Sequence, residues 1–306
     1  MAYATYEIDG RRRVGVVERS ENAADRLVPL DGLVELGVRT TPDVLAGARR
    51  LEDEAVGVDE VRLCPVVPDP GKIICIGLNY HEHVGETGRD LPTYPVMFTK
   101  FSSALVGPSD DIVAPPETTE IDYEAEMALV IGRPGRRIPR EQAHEHILGY
   151  TITNDISMRD YQRKTHQWLQ GKTWDRSTPI GPYLLTPQEV PDIADACIRT
   201  VLDGKILQEA RISQLIFDIP HLIETISEFT TLLPGDVILT GTPGGVGMKR
   251  QPPIFLTDGD RITVEIDGLG SLTNTVRNEH VRREGPPPAE KVADFDTLRS
   301  QSAPIT

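Results

Sequence analysis

Cysteine, aromatic side chains and long apolar runs are all scarce in this 306-residue chain. Its three cysteines, Cys64, Cys75 and Cys197, are odd in number and far apart, so they form neither a disulfide framework nor the paired spacings of a zinc site. That usage predicts a reducing compartment. The first residues lack the apolar core of a signal peptide, and no uninterrupted apolar run approaches membrane-spanning length; a soluble cytoplasmic protein is expected. Positive charge is short as well: 32 Lys and Arg stand against 47 Asp and Glu, for a formal net charge of -15. Such a surface repels nucleic acid and anionic membranes, and the clearest basic cluster, Arg11, Arg12 and Arg13, reads as a solvated hairpin turn.

The hydrophobic fraction of 39% and the charged fraction of 26% are those of an ordinary globular protein. Residues 1–66 read as a small N-terminal domain, with a hairpin around an Asp-Gly turn and a helix from Thr41 to Glu54. The Pro-rich "CPVVPDPGK" (64–72) is a natural boundary. A main domain, 67–284, follows with short strands at 72–78, 126–131, 147–153, 197–203 and 236–240, and residues 285–306 read as an extended or partly disordered tail. Within 218–236, Ile219, Leu222, Ile223, Ile226, Phe229 and Leu233 recur at helical spacing, with Asp218 as the cap and Pro-Gly as the stop. Many short strands and few helices predict a β-rich α+β fold.

The polar residues concentrate in a few places. In "DYEAEMALVIG", Asp122, Glu124 and Glu126 stand two apart, and on a strand they share a face. Three like charges so placed repel, which leaves an exposed rim, protonation or a cation as remedies. His83 and Glu86 are three apart; on one helical turn the carboxylate can orient and charge-stabilise the imidazole, making a general base for water. Lys172, between Gly171 and Thr173, reads as a solvated lysine or, in a pocket, as an oxyanion stabiliser. The Gly-rich "LTGTPGGVG" (239–247) is no phosphate loop, because "MKRQPPI" follows with two prolines that oppose a helix.

Taken in order from Lys72 to Glu279, "GLNYHEHVGE", "DYEAEMALVIG", "NDISMRD", "GKTWD" and "TGTPGGVG" resemble the motifs of the fumarylacetoacetate hydrolase superfamily, with a flavour of its bacterial acylpyruvate and diketo-acid hydrolases. The resemblance implies a mixed β-sandwich roll, usually a homodimer. It makes Glu124, Glu126 and Asp155 the ligands of one Mg²⁺ or Mn²⁺ per chain, and Asp122 a residue at the start of the strand rather than a fourth ligand; the all-oxygen set disfavours zinc. It makes His83 and Glu86 a water-activating dyad on a lid and Lys172 an oxyanion-stabilising lysine. Gln162, Gly241 and Thr242 fall at substrate-binding positions, with Gly241 and Pro243 shaping the turn, and Arg159 holds the loop around Asp155. Asn79 stands where some members have a further aspartate ligand. Met158 and Trp174 also depart from the pattern, which bears on substrate size. Arg163, Lys164 and His166 are either partners for a distal carboxylate or surface charges.

The reaction so implied is hydrolysis of a carbon-carbon bond in an acylpyruvate, a 2,4-dioxo acid, to pyruvate and a carboxylic acid. The alternatives are decarboxylation of a 2-oxo acid such as oxaloacetate, or isomerisation or hydration within the same superfamily. A non-enzymatic cation-binding protein would have no use for His83, Glu86 and Lys172.

Overall fold

The computed structural model describes residues 1–20, 24–88 and 90–280; the expected tail, 285–306, lies outside them. The N-terminal part supplies β1 (Ala2–Ile8), β2 (Arg11–Glu18), β3 (Arg26–Pro29), β4 (Val56–Gly57) and β5 (Arg62–Leu63). Next come β6 (Ile73–Gly77), β7 (Val96–Thr99), β8 (Leu105–Val106), β9 (Ile112–Ala114), β10 (Ile121–Asp122), β11 (Ala125–Ile131) and β12 (Ile147–Asn154). The remainder holds β13 (Ser157–Met158), β14 (Thr178–Leu185), β15 (Cys197–Leu202), β16 (Lys205–Arg211), β17 (Val237–Leu239), β18 (Arg261–Ile266) and β19 (Gly270–Asn278).

Twelve strands form one mixed sheet in the order β4-β3-β2-β1-β14-β12-β11-β17-β6-β7, with β5 beside β1 and β8 beside β14. Five more form the sheet β16-β15-β18-β19-β9, and β10 pairs with β13. Side chains alternate across β11. Met127, Leu129 and Ile131 pack with Ile198, Val264 and Ile266 of the second sheet, while Ala128 and Val130 pack with Ile73, Val237 and Leu36 on the other face. A strand buried on both faces reads as an unbroken apolar run, which is what "MALVI" is. The fold is the β-rich α+β one expected.

Residues 1–66, read as a small domain, add their strands to the main sheet. Ala2 and Tyr3 pair with Leu185 and Leu184, and Ala4, Tyr6 and Leu27 share a cluster with Met127.

Among the described residues five α-helices occur, all short: α1 (Pro42–Gly47), α2 (His81–Thr87), α3 (Arg159–Gln162), α4 (Leu169–Lys172) and α5 (Ile219–Phe229). The helix expected over 41–54 stops at Gly47 because the backbone beyond it bonds to the end of β3 and the residues after it: Asp31 N–H donates to Arg49 O and Leu51 N–H to Pro29 O, both at 2.9 Å. The helix expected over 218–236 begins as anticipated, with the Asp218 carboxylate accepting the His221 N–H. It ends early because Leu232 and Gly135 exchange backbone hydrogen bonds. Ile219, Leu222, Ile223 and Ile226 are buried, but Phe229 and Leu233 are 58% and 39% exposed.

Candidate metal centre and its cavity

In the antiparallel pair β11 and β12, Ala125 lies opposite Asn154, so the residue before one strand meets the residue after the other. The Glu124 N–H donates to Asn154 Oδ1 (2.9 Å), and Glu124 O accepts the Asp155 N–H (2.8 Å). Glu126 Oε2 accepts the N–H of Gly241 (2.7 Å). Gly241 has φ of 104°, and a Cβ on it would lie 2.7 Å from Asn79 Cβ, so glycine is required for that approach. Gly241 was expected at the substrate; its N–H is committed to Glu126 instead. One oxygen from each of Glu124, Glu126 and Asp155 lies within 4.8 Å of the others, and all three residues are buried. Carboxylate oxygens this close form a set that can hold a hard divalent cation.

Three basic side chains surround the triad. Lys172 Nζ donates to Glu124 Oε2 (2.5 Å) and Asp155 Oδ2 (2.8 Å). It gets there because Gly171 lets α4 abut α3, where a Cβ would come within 2.6 Å of the Gln162 backbone. Lys100, just after β7, donates to Asp155 Oδ1 (2.6 Å) and Ile156 O (3.3 Å). Arg159, expected to hold the loop around Asp155, ties other groups together: Nε donates to Asp122 Oδ2 (2.8 Å), Nη2 lies 2.6 Å from Glu124 Oε1, and Nη1 donates to Gln162 Oε1 (2.9 Å). Asp122 also accepts the N–H groups of Gly247 (2.7 Å) and Met248 (3.0 Å), which anchors the Gly-rich turn.

Four buried carboxylates, Asp122, Glu124, Glu126 and Asp155, thus face three buried cations. Burial raises the Glu124 carboxyl, but Lys172 and Arg159 outweigh it and bring it down to about 2. Glu126 goes the other way: burial, then Asp155 and Glu124, push it well above the usual carboxylate range. Burial works against the Lys172 ammonium, yet Asp155 and Glu124 hold its pKa above the ordinary lysine value. Glu126 is therefore the carboxylate whose charged form is least favoured, and a bound divalent cation would stabilise that form.

Glu124 and Glu126 of the triad border a cavity of about 620 Å³ whose lining also includes Lys172, His83, Gln162 and Thr242. His83 and Glu86 sit on α2, with Nδ1 3.7 Å from Oε2. Glu86 Oε1 accepts the Gly245 N–H (2.6 Å). Burial raises the Glu86 carboxyl, but His83 and the Gly245 N–H outweigh it and lower it below the usual range. The apolar side of the cavity is Phe98 and Trp168, stacked edge to face with centroids 5.5 Å apart.

Asn79, left outside the three-carboxylate set, is a strut: Nδ2 donates to Thr240 O (2.8 Å) and Phe217 O (3.1 Å), and Oδ1 accepts the Phe217 N–H (2.8 Å). Several expectations change here. Met158 packs in a separate cluster with Ile112 and Leu256, and Trp174 packs edge-on against Tyr161; neither lines the cavity, whereas Trp168 does. Arg163 pairs with Glu120 (2.7 Å), and the Lys164 ammonium sits over the Tyr161 ring; Arg163 and His166 border the cavity. Two buried residues were missed, Lys100 and Gln208. Lys100 follows a short strand at no fixed spacing from its partner Asp155. Gln208 follows buried Leu207 directly, which breaks the alternation that would have marked it as inward.

The family model described as fumarylacetoacetate (FAA) hydrolase C-terminal matches residues 72–277. The chain is 46% identical over 218 residues, 71% of its length and 68% of the relative's, to a mitochondrial oxaloacetate tautomerase of Xenopus laevis. It is 43% identical over 219 residues, 71% of its length and 70% of the relative's, to a mitochondrial oxaloacetate tautomerase of Homo sapiens. Among solved structures it resembles the 5-carboxymethyl-2-hydroxymuconate delta-isomerase of Mycobacterium smegmatis, with a TM-score of 0.77 and 34% identity over 91% of this chain and 100% of that one. The two tautomerases correct the cytoplasmic expectation: their names place them in mitochondria, another compartment that scarce, unpaired cysteines suit equally well. With two thirds of the sequence matched by one family model and the strands assembled as in a solved relative, the chain belongs to the fumarylacetoacetate hydrolase family of enzymes.

Proposed function

We propose that the chain is a divalent-metal-dependent enzyme that relocates a proton on a 2-oxo dicarboxylate, interconverting the keto and enol forms of oxaloacetate or a close analogue. The observation that carries this reading is the buried triad Glu124, Glu126 and Asp155, two of whose members, Glu124 and Glu126, line a cavity that also presents Lys172 and His83. The relatives' names support it, since tautomerase and isomerase both describe moving a proton. Glu124, Glu126 and Asp155 would hold Mg²⁺ or Mn²⁺, which when bound supplies an electrophile for the carboxylate and keto oxygens of a 2-oxo acid.

The chain's own residues handle the proton. His83 takes it from the carbon beside the keto group and delivers it to the keto oxygen to give the enol, the reverse path restoring the keto form, and its imidazolium is balanced by Glu86 in between. Lys172 donates to the substrate oxygen on which negative charge develops. Gln162 and Thr242 contact the carboxylate end, and Phe98 with Trp168 excludes water from one side. Hydrolysis of an acylpyruvate becomes the second reading, favoured by the His83–Glu86 pair, which is equally suited to activating water.

The test follows loss of the enol absorbance of oxaloacetate, with pyruvate assayed in parallel. The expected result is a metal-stimulated loss of enol without stoichiometric pyruvate, abolished by a chelator and slowed about 100-fold or more in His83→Ala. Pyruvate released from an acylpyruvate would select hydrolysis. Pyruvate and carbon dioxide from oxaloacetate would select decarboxylation. The absence of metal-dependent turnover on all of these would overturn the enzyme reading.

A further inference from the structure

β15 and β16 slip register between Thr200 and Val201, and this irregularity buries the consecutive residues Leu207 and Gln208. Gln208 is 1% exposed and links the acidic strand to the Gly-rich turn. Its Oε1 accepts the Ala125 N–H (3.0 Å) and the Thr200 hydroxyl (2.7 Å). Its Nε2 donates to Thr242 Oγ1 (2.8 Å) and Pro243 O (2.9 Å). The amide has one orientation, because the Ala125 N–H can only donate and the Pro243 carbonyl can only accept.

A threonine hydroxyl has a single proton. Thr242 Oγ1 uses a lone pair on Gln208, so its proton is left for another acceptor, and Thr242 lines the cavity. Thr240, two residues earlier, shows the other outcome: its hydroxyl donates to Met127 O (2.9 Å), and it lies outside the cavity lining.

We propose that Gln208 is a positioning residue for the substrate's carboxylate, holding Thr242 as a hydrogen-bond donor to the cavity. That wall then favours an anionic oxygen over a group that itself donates. The inference rests on reading the cavity as a 2-oxo acid site.

Calorimetric binding of oxalate in saturating Mn²⁺ tests it, with Mn²⁺ affinity and thermal unfolding measured alongside. Thr242→Val and Gln208→Met should each weaken oxalate by about tenfold, the size of one hydrogen bond to a charged group. The double variant should be no weaker than Thr242→Val alone, with Mn²⁺ affinity held within about twofold. A merely structural Gln208, acting through Ala125 on the neighbouring Glu124 and Glu126, would instead shift Mn²⁺ affinity and add to the Thr242→Val loss. Either result overturns the proposal, as does unchanged oxalate binding in Gln208→Met. If Gln208→Met does not fold, Gln208→Glu keeps the acceptor for Ala125 and Thr200 but has at most one proton for Thr242 and Pro243; the same non-additivity is expected. Wild-type protein that binds Mn²⁺ but no oxalate would overturn the site reading and this inference with it. Wild-type binding combined with additive losses would overturn this inference alone.

Discussion

Glu124 and Glu126 are two residues apart, one just before β11 and one on it, yet their environments drive them in opposite directions. Glu124 sits against Lys172 and Arg159 and is held ionised, its carboxyl at about 2. Glu126 has the Gly241 N–H, but burial, then the fields of Asp155 and Glu124, raise its pKa. The two act on stability with opposite signs. Glu126 binds its proton more tightly folded than unfolded, so in metal-free buffer stability falls as pH rises above about 4.5, the ordinary value for glutamate. Glu124's contribution is complete above 4.5 and is lost as pH falls towards about 2. The urea midpoint of chelator-treated protein is therefore expected to be higher at pH 5 than at pH 8, and Glu126→Gln should remove that slope. An equal slope in the variant would count against the assignment. The spacing of the carboxylates was legible in the sequence, but which of them stays charged depends on Lys172 and Arg159, whose positions no spacing rule supplies.

At the scale of elements, the Gly-rich turn is placed by a residue 125 positions away in sequence. Asp122 accepts the Gly247 and Met248 N–H groups and pairs with Arg159. Removing that carboxylate leaves a buried guanidinium short of a partner and two N–H groups without an acceptor. Asp122→Ala should cost about 3–5 kcal/mol, read as a shifted urea midpoint at constant m-value; a shift below about 1 kcal/mol would show that the turn holds itself. The sequence marked Asp122 only as the weakest ligand candidate, because alternation places it on the row of glutamates without showing that it caps another segment. The helices tell the same story in reverse. Asp218 and the apolar spacing announced the start of α5, where capping is local, but its end is decided by the Leu232–Gly135 pairing.

For the whole molecule, the main sheet runs through residues from both sides of the Pro-rich segment at 64–72. Ala4, Tyr6, Val17 and Leu27 belong to the cluster that holds Met127 and Leu129, so deleting residues 1–66 uncovers the support of the acidic strand. The truncated chain is expected to lose its cooperative thermal transition by circular dichroism; a folded, Mn²⁺-binding fragment 67–306 would establish instead that the first residues form a dispensable domain. We also propose the homodimer that the resemblance implies. Sedimentation equilibrium should return twice the 33.8 kDa chain mass, and a monomer at micromolar concentration would overturn it.

What the sequence by itself determined was local or patterned: the β-rich character, the cap of α5, and, through five ordered motifs, the family and the grouping of Glu124, Glu126 and Asp155. These follow from side-chain period, capping chemistry and motif order, all of which act along the chain. The tertiary structure alone decided that Lys100 meets Asp155, that Asp122 anchors a distant turn, that Gly241 serves Glu126, and that Gln208 reaches Thr242 from a second sheet. Each of those contacts joins strands or turns far apart in sequence. Strand register and sheet packing, rather than spacing, set such distances.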